Sequence, residues 1–276
     1  MVTFPHNQAF THLNNGIAMP LLGLGAWDMY GSEAEAAVSQ ALEIGYCLID
    51  TAAMYRNETE VGHAVNSSGI PRSELFVTTK VHNAEQGYDQ TLRAFDASLK
   101  KLGGDYIDLY LVHWPIKTSR KATWQAIERL YAEGKVRAIG VANYLEPFLD
   151  ELKGYAQVVP AVNQVEFSPW LFLEPLMQRC QSQGTVLQAY SPLVRGQKMG
   201  DPRLQALAAA YGKPPAQIIL RWAVQLGVST IPKSSNPARL QENFGIFDFE
   251  ISPEDMARMA TFHENYRVVE DPMEML

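Results

Sequence analysis

Three short runs decide the reading of this chain: Tyr46–Asp50 (YCLID), Leu75–Lys80 (LFVTTK) and Ile107–His113 (IDLYLVH). Each is apolar, each has the length of a strand, and each stops on an ionisable side chain. Outward from these, further runs end near Trp27 (LGLGAW), Asn143 (AIGVAN), Gln164 (AVNQVE), Tyr190 (TVLQAYS) and Lys233 (STIPKS), so the pattern occurs eight times. Stretches of helical period lie between them: Ser32–Ile44, Thr91–Leu102, Ala122–Glu133, Phe148–Tyr155, Leu173–Gln183 and Pro214–Leu226. Ser32 reads as the N-cap of the first, and Gly134, Gly184 and Gly227 as residues that end later ones. Strand alternating with helix predicts a parallel sheet, because each crossover must return on the same side. Eight such units close into a (β/α)8 TIM barrel, with a doubly wound open sheet as the rival. Before them, Phe10–Leu13, Asn14-Asn15-Gly16 and Ile17–Met19 read as an N-terminal β-hairpin placed to close the barrel floor.

The chain has 276 residues, 47% of them apolar and 19% charged, and a net charge of −7. That composition fits a well-cored protein and argues against binding nucleic acid or a membrane surface. No linker or low-complexity tract divides it, so a single domain over 1–276 is expected. Cys47 and Cys180 cannot make a disulfide framework, and a cytoplasmic location is expected. No apolar run reaches membrane-spanning length and no secretory signal is visible. No heptad or apolar stripe calls for a partner, so a monomer is the expectation.

On a barrel, all strand ends lie on the face where active sites form. Asp50, Lys80 and His113 would then converge there, joined by Tyr55 just beyond. Each has a bland reading: a turn cap for Asp50, a solvated lysine for Lys80, a core histidine for His113. That reading must hold at all eight strand ends, which are polar or aromatic throughout. The chemistry follows from charge. A tyrosine holds its proton up to about pH 10, and a nearby ammonium favours the phenolate. A buried ammonium needs a counter-ion, which Asp50 supplies. His113 can hydrogen-bond a substrate oxygen. Such a donor suits carbonyl reduction, and since no side chain carries hydride, a nicotinamide cofactor is implied.

A second group, Ile231–Arg239 (IPKSSNPAR), puts Lys233, two serines, an asparagine and Arg239 where a helix starts after the last strand. Helix amides, hydroxyls and a guanidinium suit an anion, and two cations suggest a 2′-phosphate, hence NADPH. A helix cap with solvated cations is the plain alternative. Gly23-Leu24-Gly25 lacks the third glycine of a dinucleotide fingerprint. Tyr131 and Lys135 have the spacing of a Tyr-x-x-x-Lys pair, but Gly134 breaks the helix it needs. The six histidines form no zinc motif, so no metal is expected.

Taken together, LGLGAW, IDTAAMYRNETEVG, TTKV, DLYLVHWP, GKVRAIGVANY, NQVEF, AYSPL and IPKSSNPARLQEN resemble the aldo-keto reductase family over essentially the whole chain. The resemblance implies a (β/α)8 barrel and NADPH-dependent reduction of aldehydes and ketones. It implies a tetrad of Asp50, Tyr55, Lys80 and His113, with Tyr55 as general acid. Asn143 and Gln164 would hold the nicotinamide carboxamide, and Tyr190 would stack on its ring. Ser191 and Leu193 would form the pyrophosphate strap. Lys233, Ser234 and Arg239 would grip the 2′-phosphate, and Glu242 and Asn243 would meet the adenine. Trp27, Tyr55, His113 and Trp114 would line the substrate pocket. Ala142 stands where the family usually has serine, which removes one hydroxyl contact to the carboxamide. Short loops after Trp114 and His263 imply an open, permissive pocket, similar to bacterial diketogluconate and methylglyoxal reductases. The expected substrates are small aldehydes, α-ketoaldehydes and diketo-acids. The rivals are an NADPH-binding regulator with little turnover and a barrel lyase using Lys80 as a Schiff base.

Overall fold

The computed structural model describes residues 9–275. It opens with an antiparallel hairpin, β1 (Phe10–His12) on β2 (Ala18–Pro20), with Thr11 opposite Met19. Gly16, at φ 82°, makes the turn that Asn-Gly foretold. Eight parallel strands follow in spatial order equal to chain order. They are β3 (Leu24–Gly25), β4 (Leu48–Asp50), β5 (Phe76–Val81), β6 (Ile107–Val112), β7 (Val136–Ala142), β8 (Val162–Glu166), β9 (Val186–Tyr190) and β10 (Ser229–Thr230).

The last strand returns to the first. Leu22 bridges Thr230 in parallel, Thr230 N donates to Leu21 O at 2.8 Å, and Gly23 N donates to Thr230 O at 2.9 Å. Close approach of neighbouring strands explains the two glycines that resembled a fingerprint. A Cβ on Gly25 would lie 2.7 Å from Ile231 O in the closing segment, and one on Gly23 would lie 2.2 Å from Leu48 Cδ2 on β4. They are glycines because these neighbours leave no room for a side chain.

Side-chain alternation divides the core in two. Leu48, Phe76, Leu109 and Val162 face inward and pack with Ile231, while Leu13 and Met19 of the hairpin segment join the same cluster. Their neighbours Ile49, Val77, Tyr110 and Val165 face outward to the helices. The hairpin therefore plugs the apolar floor of the barrel, and the polar inward residues are left for the opposite end.

The outer layer holds α1 (Gly31–Ile44), α2 (Glu58–Ser67), α3 (Tyr88–Leu102), α4 (Arg120–Ala132), α5 (Glu146–Lys153) and α6 (Glu174–Ser182). It continues with α7 (Pro202–Tyr211), α8 (Pro215–Gln225), α9 (Pro237–Phe244) and α10 (Pro253–Ala260). α9 packs on α1, and Tyr46 Oη donates to Leu240 O at 3.0 Å, so the helices close around the sheet as well. Two expectations change. α1 begins at Gly31, with Tyr30 at the cap position and no side-chain cap, so Ser32 is not the N-cap. α2, α7 and α10 were not foreseen as helices. α10 buries only Met259 and is set instead by Ser252 Oγ accepting from Asp255 N at 3.1 Å.

Met19 is fully buried against the barrel floor. Met19→Ala should lower unfolding free energy by about 2–5 kcal/mol, read from the midpoint shift in urea unfolding.

Candidate active site

Polarity concentrates at the C-terminal ends of the strands. Asp50 ends β4, Lys80 lies one residue inside the end of β5, and His113 and Asn143 follow β6 and β7 directly. The chain leaves β4 at Thr51 and makes a single 3-10 turn, Ala53–Tyr55, which presents Tyr55. Arg56 then takes a left-handed φ of 58° and delivers the chain to α2.

Lys80 is the centre of this group and is fully buried. Its Nζ donates to Asp50 Oδ1 at 2.5 Å, to Thr51 O at 2.9 Å and to Tyr55 Oη at 3.4 Å. An ammonium has three protons, and each has an acceptor here. Asp50 is equally enclosed, and its second oxygen accepts from Gln164 Nε2 at 2.7 Å. Gln164 Nε2 also donates to Gln188 Oε1 at 2.8 Å, Gln188 Nε2 to Ser229 Oγ at 3.1 Å, and Ser229 Oγ to Pro20 O at 3.2 Å. A chain of bonds therefore runs from the ammonium through five strands to the hairpin. Burial pushes the Asp50 carboxyl up and the Lys80 amine down, and each charge opposes the shift of the other.

Two further groups respond to the same enclosure. Burial, then the Asp50 charge, raises the Tyr55 phenol well above its ordinary value. The ring of Tyr55 is only partly covered, while its hydroxyl sits in dense surroundings beside Lys80. The expectation that Lys80 lowers the phenol's pKa therefore fails in the resting site, because burial, and then the Asp50 charge, raise it. Burial, then Lys80 and His82, holds His113 well below its ordinary value, so its imidazole is neutral. Its Nδ1 is buried with no partner among the described residues. We assign the ring proton to Nε2, since a buried donor without an acceptor costs more than a buried lone pair. The His113 and Tyr55 rings meet edge to face at 5.6 Å.

Asn143 adopts φ 65°, a conformation asparagine tolerates better than most residues. Its Nδ2 donates to His113 O at 2.9 Å, and its Oδ1 accepts from Tyr190 Oη at 2.8 Å. Asn143 N donates to Gln164 O at 2.9 Å, so Asn143, Gln164 and Tyr190 form one bonded group beside Asp50 and His113. After β9 the backbone is strained: Ser191, Val194 and Arg195 have φ of 48°, 51° and 50°. Val194 is the sharpest case, because a branched Cβ rarely accepts positive φ. The Arg195 guanidinium lies 4.7 Å above the ring of Trp27, which is 45% exposed in the turn after β3. Trp114 follows His113, and its carbonyl accepts from Gln86 Nε2 at 2.7 Å.

At the end of β10, Asn236 caps α9 by accepting from Arg239 N at 3.2 Å. Ser234 is buried, and its Oγ accepts from Asn236 N at 3.1 Å. Lys233 and Arg239 are exposed and make no ion pair among the described residues. Glu242 and Asn243 lie on α9. No group of three or more metal-ligating side chains occurs among the described residues.

Sequence reading passed over Gln188, Glu166, Thr51 and Asn57. Gln188 and Glu166 each lie two residues from a chosen position, Tyr190 and Gln164, so strand alternation placed them inward. Glu166 binds the C-terminal segment, accepting from Val268 N at 2.7 Å and Val269 N at 3.2 Å. Thr51 accepts from Lys80 through its carbonyl and donates to Asn57 through its hydroxyl, and no sequence pattern marks either.

Comparison with known proteins fits this geometry. The model of the Aldo/keto reductase family matches residues 21–264. This chain belongs to the aldo/keto reductase family. A glyoxal reductase of Bacillus subtilis is 48% identical over 265 residues, 96% of each chain. The crystal structure of an aldo/keto reductase from Brucella melitensis superposes with a TM-score of 0.90 at 44% identity, covering 92% of this chain and 99% of that one. A Bombyx mori aldo-keto reductase in complex with NADP superposes with a TM-score of 0.89 at 37% identity, covering 96% of both.

His113 gives a pH prediction. Its folded pKa is depressed, so below about pH 6.5 the unfolded chain takes up a proton that the folded one refuses. Its contribution to stability is present above that pH and falls below it, by at most about 1.4 kcal/mol per unit. Urea midpoints measured across that range should fall with acidity, and less steeply in His113→Asn.

Proposed function

We propose that this protein is an NADPH-dependent reductase of aldehydes and ketones, and that Tyr55 protonates the carbonyl oxygen. The observation that carries the reading is the Lys80 ammonium, bonded at once to Asp50, Thr51 O and the Tyr55 hydroxyl. The residues present fit a nicotinamide. Gln164 spends its amide hydrogens on Asp50 and Gln188 and leaves Oε1 without a partner among the described residues. Asn143 keeps one amide hydrogen, and Tyr190 offers a ring face. Lys233 and Arg239, paired with no carboxylate among the described residues, suit a 2′-phosphate, with Ser234 beside them. Ser191 and Leu193 lie on the strained loop suited to the pyrophosphate, and Glu242 and Asn243 would meet the adenine.

When bound, the cofactor supplies hydride to the carbonyl carbon. Neutral His113 donates Nε2–H to the carbonyl oxygen and fixes its place. Tyr55, held protonated by its surroundings, gives its proton to that oxygen as charge builds there. The phenolate formed is then stabilised by the Lys80 ammonium at hydrogen-bond range, and Asp50 keeps that ammonium charged. Trp27 and Trp114 flank the opening. Small aldehydes, α-ketoaldehydes and diketo-acids are the substrates proposed. A similar protein is named a glyoxal reductase, which favours the α-dicarbonyl class. The Schiff-base reading of Lys80 needs a free neutral amine, and here every proton of that amine is engaged.

Tyr55→Phe should cut kcat for methylglyoxal by about 10²–10⁴-fold while NADPH still quenches protein fluorescence as in wild type. Arg239→Ala should raise the NADPH KM by about 10–100-fold, the worth of a charge-assisted pair, and leave the NADH KM unchanged in steady-state assays.

A further inference from the structure

We propose that Thr51 and Asn57 form a clamp that positions Tyr55 for proton transfer, a role that rests on Tyr55 being the proton donor. Asn57 occupies the N-cap position of α2, yet its side chain makes no cap hydrogen bond. Asparagine is favoured at such positions because its oxygen accepts from the helix amides. Here the oxygen is turned away and accepts from Thr51 Oγ1 at 2.5 Å. The amide reaches in another direction, donating to Ala26 O at 2.7 Å and Met29 O at 2.9 Å. Asn57 is fully buried, and both amide hydrogens and the oxygen are satisfied, which fixes its orientation.

The consequence lies in what the clamp encloses. Thr51 is the last residue held by the barrel, its N donating to Thr78 O at 2.9 Å and its carbonyl accepting from Lys80. Asn57 is the first residue held by α2, its carbonyl accepting from Val61 N at 3.0 Å. Between them run Ala52 to Arg56, with Tyr55 as the last residue of the 3-10 turn Ala53–Tyr55. The Thr51–Asn57 bond pins both ends of that segment together. It also holds Arg56 in its left-handed conformation, which persists only where surrounding contacts over-determine it. The amide bonds to Ala26 and Met29 fix the turn that carries Trp27 to the same point. Tyr55 Oη lies 3.4 Å from Lys80, near the limit of a hydrogen bond, so a small drift of the segment would break that contact.

The test compares Thr51→Val, which keeps the shape and removes the hydroxyl, with Thr51→Ser, which keeps the hydroxyl. The readouts are kcat and KM for methylglyoxal, the NADPH Kd from fluorescence, and the isotope effect with hydride-position deuterated NADPH. Thr51→Val should bind NADPH within about twofold of wild type, lose about 10–100-fold in kcat and show a larger isotope effect, because misplacement of the acid slows chemistry alone. Thr51→Ser should recover to within about threefold of wild type. A folded Thr51→Val protein with wild-type kcat would overturn the clamp, as would an equal loss in Thr51→Ser or a kcat loss matched by lost NADPH affinity. Should Thr51→Val not fold, Asn57→Ser answers the question, since serine can cap α2 while making none of the three bonds. The same kcat loss is then expected, and wild-type kcat overturns the proposal. A Tyr55→Phe protein that turns over normally would overturn the reading of Tyr55 itself, and the two failures differ in which single variant stays active.

Discussion

The site depends on one buried ion pair, Lys80 with Asp50. Neither side chain meets solvent, and they touch at 2.5 Å. Removing one partner from such a pair strands the other charge at a cost of about 3–5 kcal/mol. The pair is tolerable because every remaining donor and acceptor is used: Thr51 O and Tyr55 Oη on the lysine, Gln164 on the aspartate. Those partners come from different strands and loops, and Gln164 passes the connection through Gln188 to Ser229 and Pro20 O. They meet only if the barrel closes in register with its hairpin floor. The ion pair thus ties the chemistry to the topology.

The electrostatics of the neighbours follow from the same enclosure. Burial leaves His113 neutral and Tyr55 protonated at rest. A proton donor should be in that state before the substrate arrives. A lysine that fully depressed the phenol's pKa would leave a phenolate with nothing to give. Lys80, balanced by Asp50, does not do this. Its ammonium matters once the proton has left, when its hydrogen bond to the phenol oxygen becomes a charge-assisted one.

Much of this was legible in the sequence, and the reasons are specific. β4, β6, β7 and β9 end at or one residue before the ends of their apolar runs, and β5 one residue beyond, so YCLID, LFVTTK and IDLYLVH placed Asp50, Lys80 and His113 on one face; β3 and β10 are shorter than their runs and stop at Gly25 and Thr230, before Trp27 and Lys233. Asn-Gly fixed the hairpin turn. The helices α2 and α7 escaped because the apolar side chains they bury are few and partly small, Val61, Ala64 and Val65 in the first and Leu204, Leu207 and Ala208 in the second, and α10 because it buries Met259 alone. The start of α1 escaped because the chain enters it through the left-handed Gly31, at φ 51°, after an exposed Tyr30, with no side-chain cap to mark the place. Gln188 and Glu166 were within reach of strand alternation but were overshadowed by Gln164 and Tyr190. The direction of the Tyr55 shift could not be read from residue types, since it depends first on how deeply the phenol is enclosed and then on the Asp50 charge beside it. Asn57 was hidden for a different reason: α2 itself escaped, and only the folded chain shows the side chain at its start turned toward Thr51.

The central claim is that Asp50 keeps Lys80 charged beside Tyr55, and the pH dependence of kcat tests it directly. Lys80 has its pKa lowered by burial and supported by Asp50. In wild type, kcat should hold until the ammonium deprotonates on the alkaline side. In Asp50→Asn the support is gone, so the alkaline fall should move to lower pH by about one unit or more, each unit being about 1.4 kcal/mol of lost interaction. An alkaline limb at the same pH in both proteins would contradict the account.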